Sequence, residues 1–275
     1  MRAYSMRLFG IELIGCLLAL VFLIPFYFVG VNSVKSFGEL LNNAAGWPQA
    51  LQWDNYSRVW TIMRFPSAIK NSLLITVFSN LGLVLISGMA AYHMVRKPNR
   101  FNKLMLFLYV AAMVIPFQSI MIPLVKVASE VQIMNSAWGL MVAYFGFGVS
   151  LNIFLYHGFM KSIPREIEES AVVDGCNPYG VFWRIVFPLL KPMTVTIILL
   201  NSLWIWNDFL LPLLFLYDPE LRTIPLATYS FFGQYTKQWD LALAGLVLGV
   251  TPIIIFFLLM QKHIIAGITA GSVKG

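Results

Sequence analysis

The chain has 275 residues, of which 59% are hydrophobic and only 11% are charged. Ordinary soluble domains carry roughly 25% charged residues, and the mean hydropathy of this chain is +0.76. The composition therefore excludes an ordinary water-soluble protein and predicts an integral membrane protein. The formal charge of +7 does not indicate a nucleic acid partner, because no basic cluster is interleaved with aromatic residues.

Six apolar stretches are long enough to span a membrane, since a helix needs about 20 residues to cross the hydrocarbon core. In chain order these predicted spans are residues 11–31, 68–93, 104–126, 138–160, 193–216 and 241–262. The sequence thus predicts an all-α, polytopic membrane protein with six transmembrane helices in contact with lipid. We expect one transmembrane domain over residues 1–275, with its core at about 68–265. The first span continues past Cys16, so we expect it to be retained and not removed as a signal peptide.

The distribution of basic residues predicts the orientation. An even number of spans places both termini on the same side of the membrane. Of the 19 lysines and arginines, twelve fall on that side and seven on the other, and the densest group lies in the short loop at residues 96–100. Basic residues favour the cytoplasmic side, most strongly in short loops. We predict a multi-pass protein of the cell (plasma or inner) membrane with both termini in the cytoplasm.

The predicted cytoplasmic loop at residues 161–192 is much longer than a helix connection requires. Its residues predict two short helices separated by a glycine. Ser162 is a candidate N-cap for the first helix, Pro164 would lie in its opening turn, and Gly175 is a candidate C-terminal stop.

The second short helix has its own start signal, because Asn177 can cap a helix whose first residue is Pro178. We expect Pro188 and Pro192 to end this helix before the fifth span begins. The loop therefore has a helix–Gly–helix pattern.

The first short helix carries a stripe of small and apolar residues among acids. Ile167, Ser170, Ala171 and Asp174 lie at i, i+3, i+4 and i+7, which places them on one face. Small residues allow close approach, so this face is typical of a helix that docks in the groove of another protein. The alternative is a loop that packs only against its own bundle.

The same loop contains a recognisable motif. The stretch Glu169–Cys176 reads Glu-Ser-Ala-Val-Val-Asp-Gly-Cys, and Ile-Val-Phe-Pro follows at residues 185–188, ten residues after the glycine. These residues resemble the EAA loop of ABC importer permeases, with Ser170 and Cys176 in place of alanine and Phe187 in place of leucine. In that family the loop is the coupling helix that docks on the ATP-binding subunit. The resemblance implies that the coupling contact is formed by Glu169, Ser170, Ala171, Asp174 and Gly175.

Two further stretches, residues 204–213 and residues 267–275, look like the carbohydrate-importer branch and resemble the shorter of the two maltose permease subunits. This resemblance implies a heterodimer with a second permease subunit, two ATP-binding subunits and an extracellular sugar-binding protein. It implies that ATP and Mg are bound by the partner subunit and that this chain binds no cofactor. In that family the longer permease holds the sugar, so direct contact between this chain and substrate is left open.

The chain has no nucleotide-binding motif of its own. No Gly-x-x-x-x-Gly-Lys-Ser/Thr loop is present, and residues 271–274 lack its spacing. The histidines His93, His157 and His263 share no metal-ligand spacing and belong to no catalytic constellation. We predict no catalytic residues and no metal site, and hence a transport subunit whose ATP is hydrolysed by a partner.

Polar residues are concentrated in the fifth predicted span. Asn201, Trp204 and Asp208 lie at i, i+3 and i+7 and share a helix face, which we expect to point into the bundle because a lipid-facing acid is costly. With Asn207 they form a candidate pathway for a sugar, which amide, carboxylate and indole groups bind through hydrogen bonds and stacking. Alternatively, Pro212 has no N–H for the carbonyl of Asp208, and these side chains satisfy backbone groups freed at a kink.

Two further candidate sites lie where regular structure is expected to break. Pro116 and Pro123 predict a broken third span, and Gln118 between them is a further candidate pathway residue. A turn-like stretch in the last external loop is either a contact for the binding protein or a surface turn. Its candidate contact residues are Gly233, Gln234 and Tyr235.

Two other transport functions are compatible with part of this pattern. A permease of the same family could carry another polar solute, such as glycerol phosphate or a polyamine, but a phosphate-bearing solute would call for basic residues well inside the spans. An ion-coupled secondary transporter would need intramembrane acids, of which Asp208 is the only deep candidate, and would not need the helix–Gly–helix loop.

Overall fold

The computed structural model describes the backbone of residues 6–232 and 238–272 and the side chains of residues 8–232 and 238–261. Gly233, Gln234 and Tyr235, predicted to contact a binding protein, lie outside the described residues. Within the described residues the fold is all-α, as the composition predicts. The helices are, in chain order, α1 (Met6–Asn32), α2 (Phe37–Asn42), α3 (Asp54–Ile62), α4 (Phe65–Arg96), α5 (Arg100–Ala112), α6 (Phe117–Glu130), α7 (Ala137–Met160), α8 (Glu166–Val173), α9 (Pro178–Leu189), α10 (Lys191–Asn207), α11 (Leu210–Phe215), α12 (Ile224–Thr228) and α13 (Trp239–Ser272).

Four described helices are individually long and apolar enough to cross a membrane. They are Leu8–Asn32, Phe65–Arg96, Ala137–Met160 and Trp239–Gln261, which coincide with the first, second, fourth and sixth predicted spans. Two pairs of helices meet at sharp bends, α5 with α6 at 106° and α9 with α10 at 72°. The described helices therefore provide four spans, or up to six if each bent pair counts as one.

The third and fifth predicted spans are not continuous helices. In the third, the chain breaks after Ala112 and resumes at Phe117, and Pro123 lies inside α6. The break ends at Pro116, which precedes α6 and whose ring disfavours helical backbone at the residue before it. In the fifth, α10 ends at Asn207 and α11 begins at Leu210, which agrees with the kink expected from the proline at position 212.

The described residues form two compact units, one made of the chain up to Pro66 with Ala227–Pro252, the other of Ser67–Leu226 with the residues from Ile253. In the first unit α1 is almost entirely exposed, whereas Lys35 just after it is fully buried. The Lys35 ammonium donates to the carbonyls of Asn43 and Gly46, both at 2.7 Å. These bonds close the loop that follows α1, because a buried charge must be paired or hydrogen-bonded.

In the second unit α4 and α7 pack closely through glycines. A side chain at Gly82 would collide with the ring of Phe145, and one at Gly148 would collide with Leu83. Small residues let membrane helices approach in this way. α4 and α7 thus form a closely packed pair, which the coupling loop and the fifth span contact.

Candidate coupling site and transport pathway

The first short helix of the loop is α8, and it starts later than the sequence predicts. It begins at Glu166 with Arg165 at the N-cap position and no side-chain cap. The prediction of a Ser162 cap with Pro164 in the opening turn is therefore wrong. The Ser162 hydroxyl instead donates to the carbonyl of Phe159, 2.8 Å away, at the end of α7. The N-terminus of α8 is stabilised by the acids in its first turn, which complement the helix dipole.

The glycine that ends α8 is required by its backbone conformation. Gly175 has φ +86°, in the left-handed region that favours glycine. The N–H of Cys176 donates to the carbonyl of Ala171 at 2.9 Å, which closes the end of the helix. A Cβ at Gly175 would meet no atom within 4 Å. The predicted turn is confirmed, and conformation, not space, selects glycine here.

The start of the second short helix is also as predicted. The Asn177 side chain accepts from the N–H of Gly180 at 2.7 Å, and Pro178 is the first helical residue. The helix ends between the two prolines, before the next helix begins, as expected, but neither proline stops it directly: α9 continues through Pro188 to Leu189, and Pro192 lies in the first turn of α10. Proline is tolerated in a first turn, where its missing N–H needs no partner.

The predicted contact residues on this loop divide by exposure. Ala171 is buried in an apolar cluster of its own chain, and the rest of the set is exposed: Glu169, Ser170, Asp174 and Gly175. Beside them stand two exposed valines that the motif did not single out, Val172 at 57% and Val173 at 86% exposure. The two adjacent valines at the end of a helix rich in acids are the sequence signal for this apolar edge. The outer surface of α8 is thus both acidic and apolar.

Glu168 is a residue of this site that sequence reasoning did not assign. Unlike its neighbours it is buried, and both oxygens of its carboxylate are engaged by α4. The Tyr92 hydroxyl donates to Oε2 at 3.0 Å, and Arg96 Nε donates to Oε1 at 2.7 Å within an ion pair. Arg96 Nη2 also donates to the carbonyl of Ile163 at 3.2 Å. No signal in the sequence separates this acid from its neighbours, because its partners on α4 are 72 and 76 residues earlier in the chain.

The candidate pathway residues of the fifth span differ in exposure. Asn201 is buried, whereas Trp204 and Asn207 are exposed, and Asp208 lies beyond the end of α10 with extended backbone. The prediction that Asp208 lies on the helix face of Asn201 and Trp204 is therefore wrong, because the helix ends before it. Gln118, the fifth candidate, is exposed and is the second residue of α6, directly after the break.

Asp208 is held by groups of its own chain. Its Oδ2 accepts from the Tyr144 hydroxyl at 2.9 Å, and its Oδ1 accepts from the N–H of Leu210 at 3.0 Å, where α11 begins. The Tyr144 ring also meets the ring of Trp204 edge to face, with centroids 5.4 Å apart. Asp208 thus accepts a backbone N–H at the start of the new helix and ties the interruption to α7, as the structural alternative expects.

Buried polar side chains lie where the fifth span packs against α4. The Asn80 amide donates to the hydroxyl of Ser202 at 3.1 Å, joining α4 to α10. The adjacent Asn201 is buried, and its side-chain nitrogen meets no hydrogen-bond partner within the described part of the chain. Its amide therefore retains unused hydrogen-bonding capacity inside the bundle.

Comparison with known proteins identifies the family. A family profile described as "Binding-protein-dependent transport system inner membrane component" matches residues 82–270, a range that includes both the coupling loop and the fifth span. The chain belongs to this family. Its members are the membrane permeases of ABC importers, in which separate subunits hydrolyse ATP. The predicted family is confirmed, and this permease is a transport subunit and not an enzyme.

Curated relatives match this permease over all or nearly all of its length. It is 40% identical to the "Probable starch degradation products transport system permease protein AmyC" of Thermoanaerobacterium thermosulfurigenes, with 100% of each chain covered. It is 33% identical to the "Melibiose/raffinose/stachyose import permease protein MelC" of Bacillus subtilis, over 100% of this chain and 99% of the relative. It is 36% identical to the "Multiple sugar-binding transport system permease protein MsmG" of Streptococcus mutans, over 93% of each.

Solved structures share the fold. A bacterial ABC transporter involved in the import of the acidic polysaccharide alginate superposes with a TM-score of 0.80 at 22% identity, over 95% of this permease and 99% of that chain. The MetNI methionine ABC transporter gives a TM-score of 0.56 at 12% identity, over 77% and 98%. At these identities the likeness establishes the fold alone. It confirms an all-α ABC importer permease architecture.

Proposed function

We propose that this permease is one of two membrane subunits of an ATP-driven importer for a sugar or oligosaccharide. The observation that carries the solute class is the agreement of three relatives, each matched over at least 93% of its length. Their names refer to starch degradation products, to melibiose, raffinose and stachyose, and to multiple sugars. Relatives so similar over full length support a shared class of solute.

In this importer the chain forms a heterodimer with a second permease subunit. Two ATP-binding subunits, which hold ATP and Mg, and an extracellular sugar-binding protein complete the assembly. Both termini and the coupling loop face the cytoplasm. The arginine at the end of α4 supports this orientation, because Arg96 and the neighbouring basic loop belong on the cytoplasmic side. The loop at Gly233, Gln234 and Tyr235 is then external and contacts the binding protein.

The docking surface for the ATP-binding subunit is the outer face of α8 and the turn after it. Its polar side chains are Glu169, Ser170 and Asp174, its apolar side chains are Val172 and Val173, and Gly175 forms the turn. Such a mixed surface suits an interface with an apolar centre and a charged rim. Ala171 supports this surface from behind by packing against the apolar core.

Sugar passes the chain beside α10. Trp204 and Asn207 are exposed near the end of α10, and indole stacking with amide hydrogen bonding suits a neutral polyhydroxyl solute. Asn201 and Gln118 are further candidates for the same pathway, whereas Asp208 maintains the interruption of the helix.

The test is ATP hydrolysis by the assembled transporter in lipid vesicles. The permease is purified with its partner subunits and exposed to binding protein loaded with each member of a panel of sugars, glycerol phosphate and a polyamine. We expect stimulation by at least one sugar or oligosaccharide. Stimulation only by a non-sugar solute would replace the substrate class, and ion-driven uptake without ATP would overturn the importer itself.

A further inference from the structure

The acids of α8 are not equivalent. Glu166 and Glu169 are exposed, whereas Glu168 is 8% exposed and points to the last turns of α4. A buried carboxylate is strongly destabilising unless it is paired and fully hydrogen-bonded. Here both oxygens are satisfied, one by Tyr92 and the other by Arg96. We use the term clamp for the three residues Glu168, Arg96 and Tyr92.

The clamp fixes more than one ion pair. Arg96 holds the carboxylate through Nε and, through Nη2, the carbonyl of Ile163 in the segment that leads into α8. A planar guanidinium that makes several directed bonds fixes orientation as well as distance, which a lysine at the same place would not do. Arg96 therefore fixes the orientation of α8 relative to α4 as well as their separation.

Two neighbouring contacts extend the connection. Arg165 Nη2 donates to the carbonyl of Val95 at 3.4 Å, so the start of α8 is tied to the end of α4 a second time. The ring of Tyr92 lies 5.1 Å from the ring of Phe182 in α9. Beneath these groups Val95 and Ala171 belong to the same buried apolar cluster. The end of α4 is therefore joined to both helices of the coupling loop.

We infer that Glu168, Arg96 and Tyr92 are positioning residues that make α8 and α4 move as one rigid piece when the ATP-binding subunit moves. The inference rests on the proposed function, in which the outer face of α8 is docked on that subunit. With the clamp intact, displacement of α8 is passed to α4 and through it to the bundle. With the clamp broken, α8 stays docked but turns relative to α4.

The first experiment measures this geometry directly and does not depend on the solute. Spin labels are placed on the assembled transporter at Glu166→Cys and Lys97→Cys, two exposed positions outside the clamp, with Cys16 and Cys176 replaced by serine. With the clamp intact we expect one narrow distance distribution that is the same with and without ATP. With Glu168→Gln we expect a broad distribution that shifts on ATP binding. An equally narrow, unshifted distribution in Glu168→Gln would overturn the inference even if sugar import is demonstrated.

The second experiment measures coupling. Glu168→Gln and Arg96→Lys should leave assembly and basal ATP hydrolysis intact but lower the stimulation by loaded binding protein by at least about tenfold, because the buried pair loses its geometry. Glu169→Gln is unsuitable as a control because it lies in the docking surface, so the matched control is Glu166→Gln, which should retain full stimulation. Tyr92→Phe, which removes a single hydrogen bond, should lower stimulation by a few-fold while the protein still assembles. Full stimulation in both Glu168→Gln and Arg96→Lys would contradict the clamp.

Discussion

The coupling loop and the interrupted fifth span each hold one carboxylate against a neighbouring helix, and the two carboxylates have different consequences for the surface beside them. Glu168 fastens α8 from its inner side and leaves the outer side free, with Val173 86% exposed. Asp208 accepts hydrogen bonds from Tyr144 and from the first residue of α11, and α10 ends at the residue before it. In the first region an internal anchor presents a surface to a partner, whereas in the second the anchor itself occupies the position expected for a solute contact. A polar residue in a membrane bundle is thus a candidate for binding only after its partners in its own chain are known.

We expect the largest effect from a substitution at the exposed end of α8. Val173→Asp places a charge in the proposed apolar centre of the docking surface without disturbing the fold, because the side chain is exposed. We expect the affinity for the ATP-binding subunit to fall by roughly thirtyfold or more, as at a central contact residue. Binding is measured by titrating detergent-solubilised permease with the ATP-binding subunit.

The matched control is Val131→Asp. Val131 is also an exposed valine at the end of a helix, at 58% exposure, and lies on the predicted external side. The control should bind normally. Equal losses in the two variants would show that the exposed edge of α8 is not a specific docking surface.

A smaller effect is expected at the glycine after α8. Gly175→Val forces a β-branched residue into the left-handed region, at a cost of about 1–2 kcal/mol, which α8 can avoid only by changing its end. We expect the protein to remain in the membrane and ATP hydrolysis stimulated by the binding protein to fall about tenfold. Gly158→Val, at an exposed helical position where a Cβ meets nothing, should keep that stimulation. Normal stimulation in Gly175→Val would show that this turn does not set the coupling geometry.

The exposed groups of α10 should affect uptake more modestly. Asn207→Ala removes an exposed amide that, among the described residues, donates to the carbonyl of Leu203 in its own helix. The loss of about 1 kcal/mol for one hydrogen bond to solute predicts an increase of roughly fivefold in the sugar concentration for half-maximal uptake. Trp204→Ala should change the same quantity in the same direction. Unchanged values in both variants would remove α10 from the pathway.

The smallest effect is expected at the neighbouring acid. Asp208→Asn retains one oxygen that can accept from the N–H of Leu210, and its new NH2 group can donate to the Tyr144 hydroxyl oxygen, so the interruption of the helix should persist. The half-maximal sugar concentration should then change by less than about twofold, since a twofold change corresponds to only about 0.4 kcal/mol. An increase in the half-maximal sugar concentration larger than that of Asn207→Ala would show that Asp208 contacts the solute, and the difference between the two carboxylates would not hold.

Local signals accounted for much of the fold. Continuous apolar length located the spans that are single helices, the left-handed Gly175 followed from a helix stop between two short helices, and Asn177-Pro178 marked a real start. These features depend on residues within one or two turns of each other. Ser162 was wrong for a related reason, because its hydroxyl has an equally local acceptor in the preceding helix, the carbonyl of Phe159.

Features that depend on distant partners could not be obtained from the sequence. Glu168 resembles its exposed neighbours until Arg96, 72 residues earlier, is brought against it. Likewise Asp208 resembles a solute ligand until Tyr144, 64 residues earlier, takes its carboxylate. Pro212 indicated that the helix is interrupted, but it did not indicate which neighbouring helix would hydrogen-bond to Asp208. The motif identified the coupling loop as a unit, and only the fold separates its inner face from its outer face.

The central claim is that the outer face of α8 meets the ATP-binding subunit on the cytoplasmic side. A photo-crosslinking amino acid at position 173, in transporter assembled in native membranes, tests it most directly, with the same amino acid at position 131 for comparison. We predict a covalent product with the ATP-binding subunit from position 173 and none from position 131. A product from position 131, or none from position 173 in a fully assembled transporter, would contradict it.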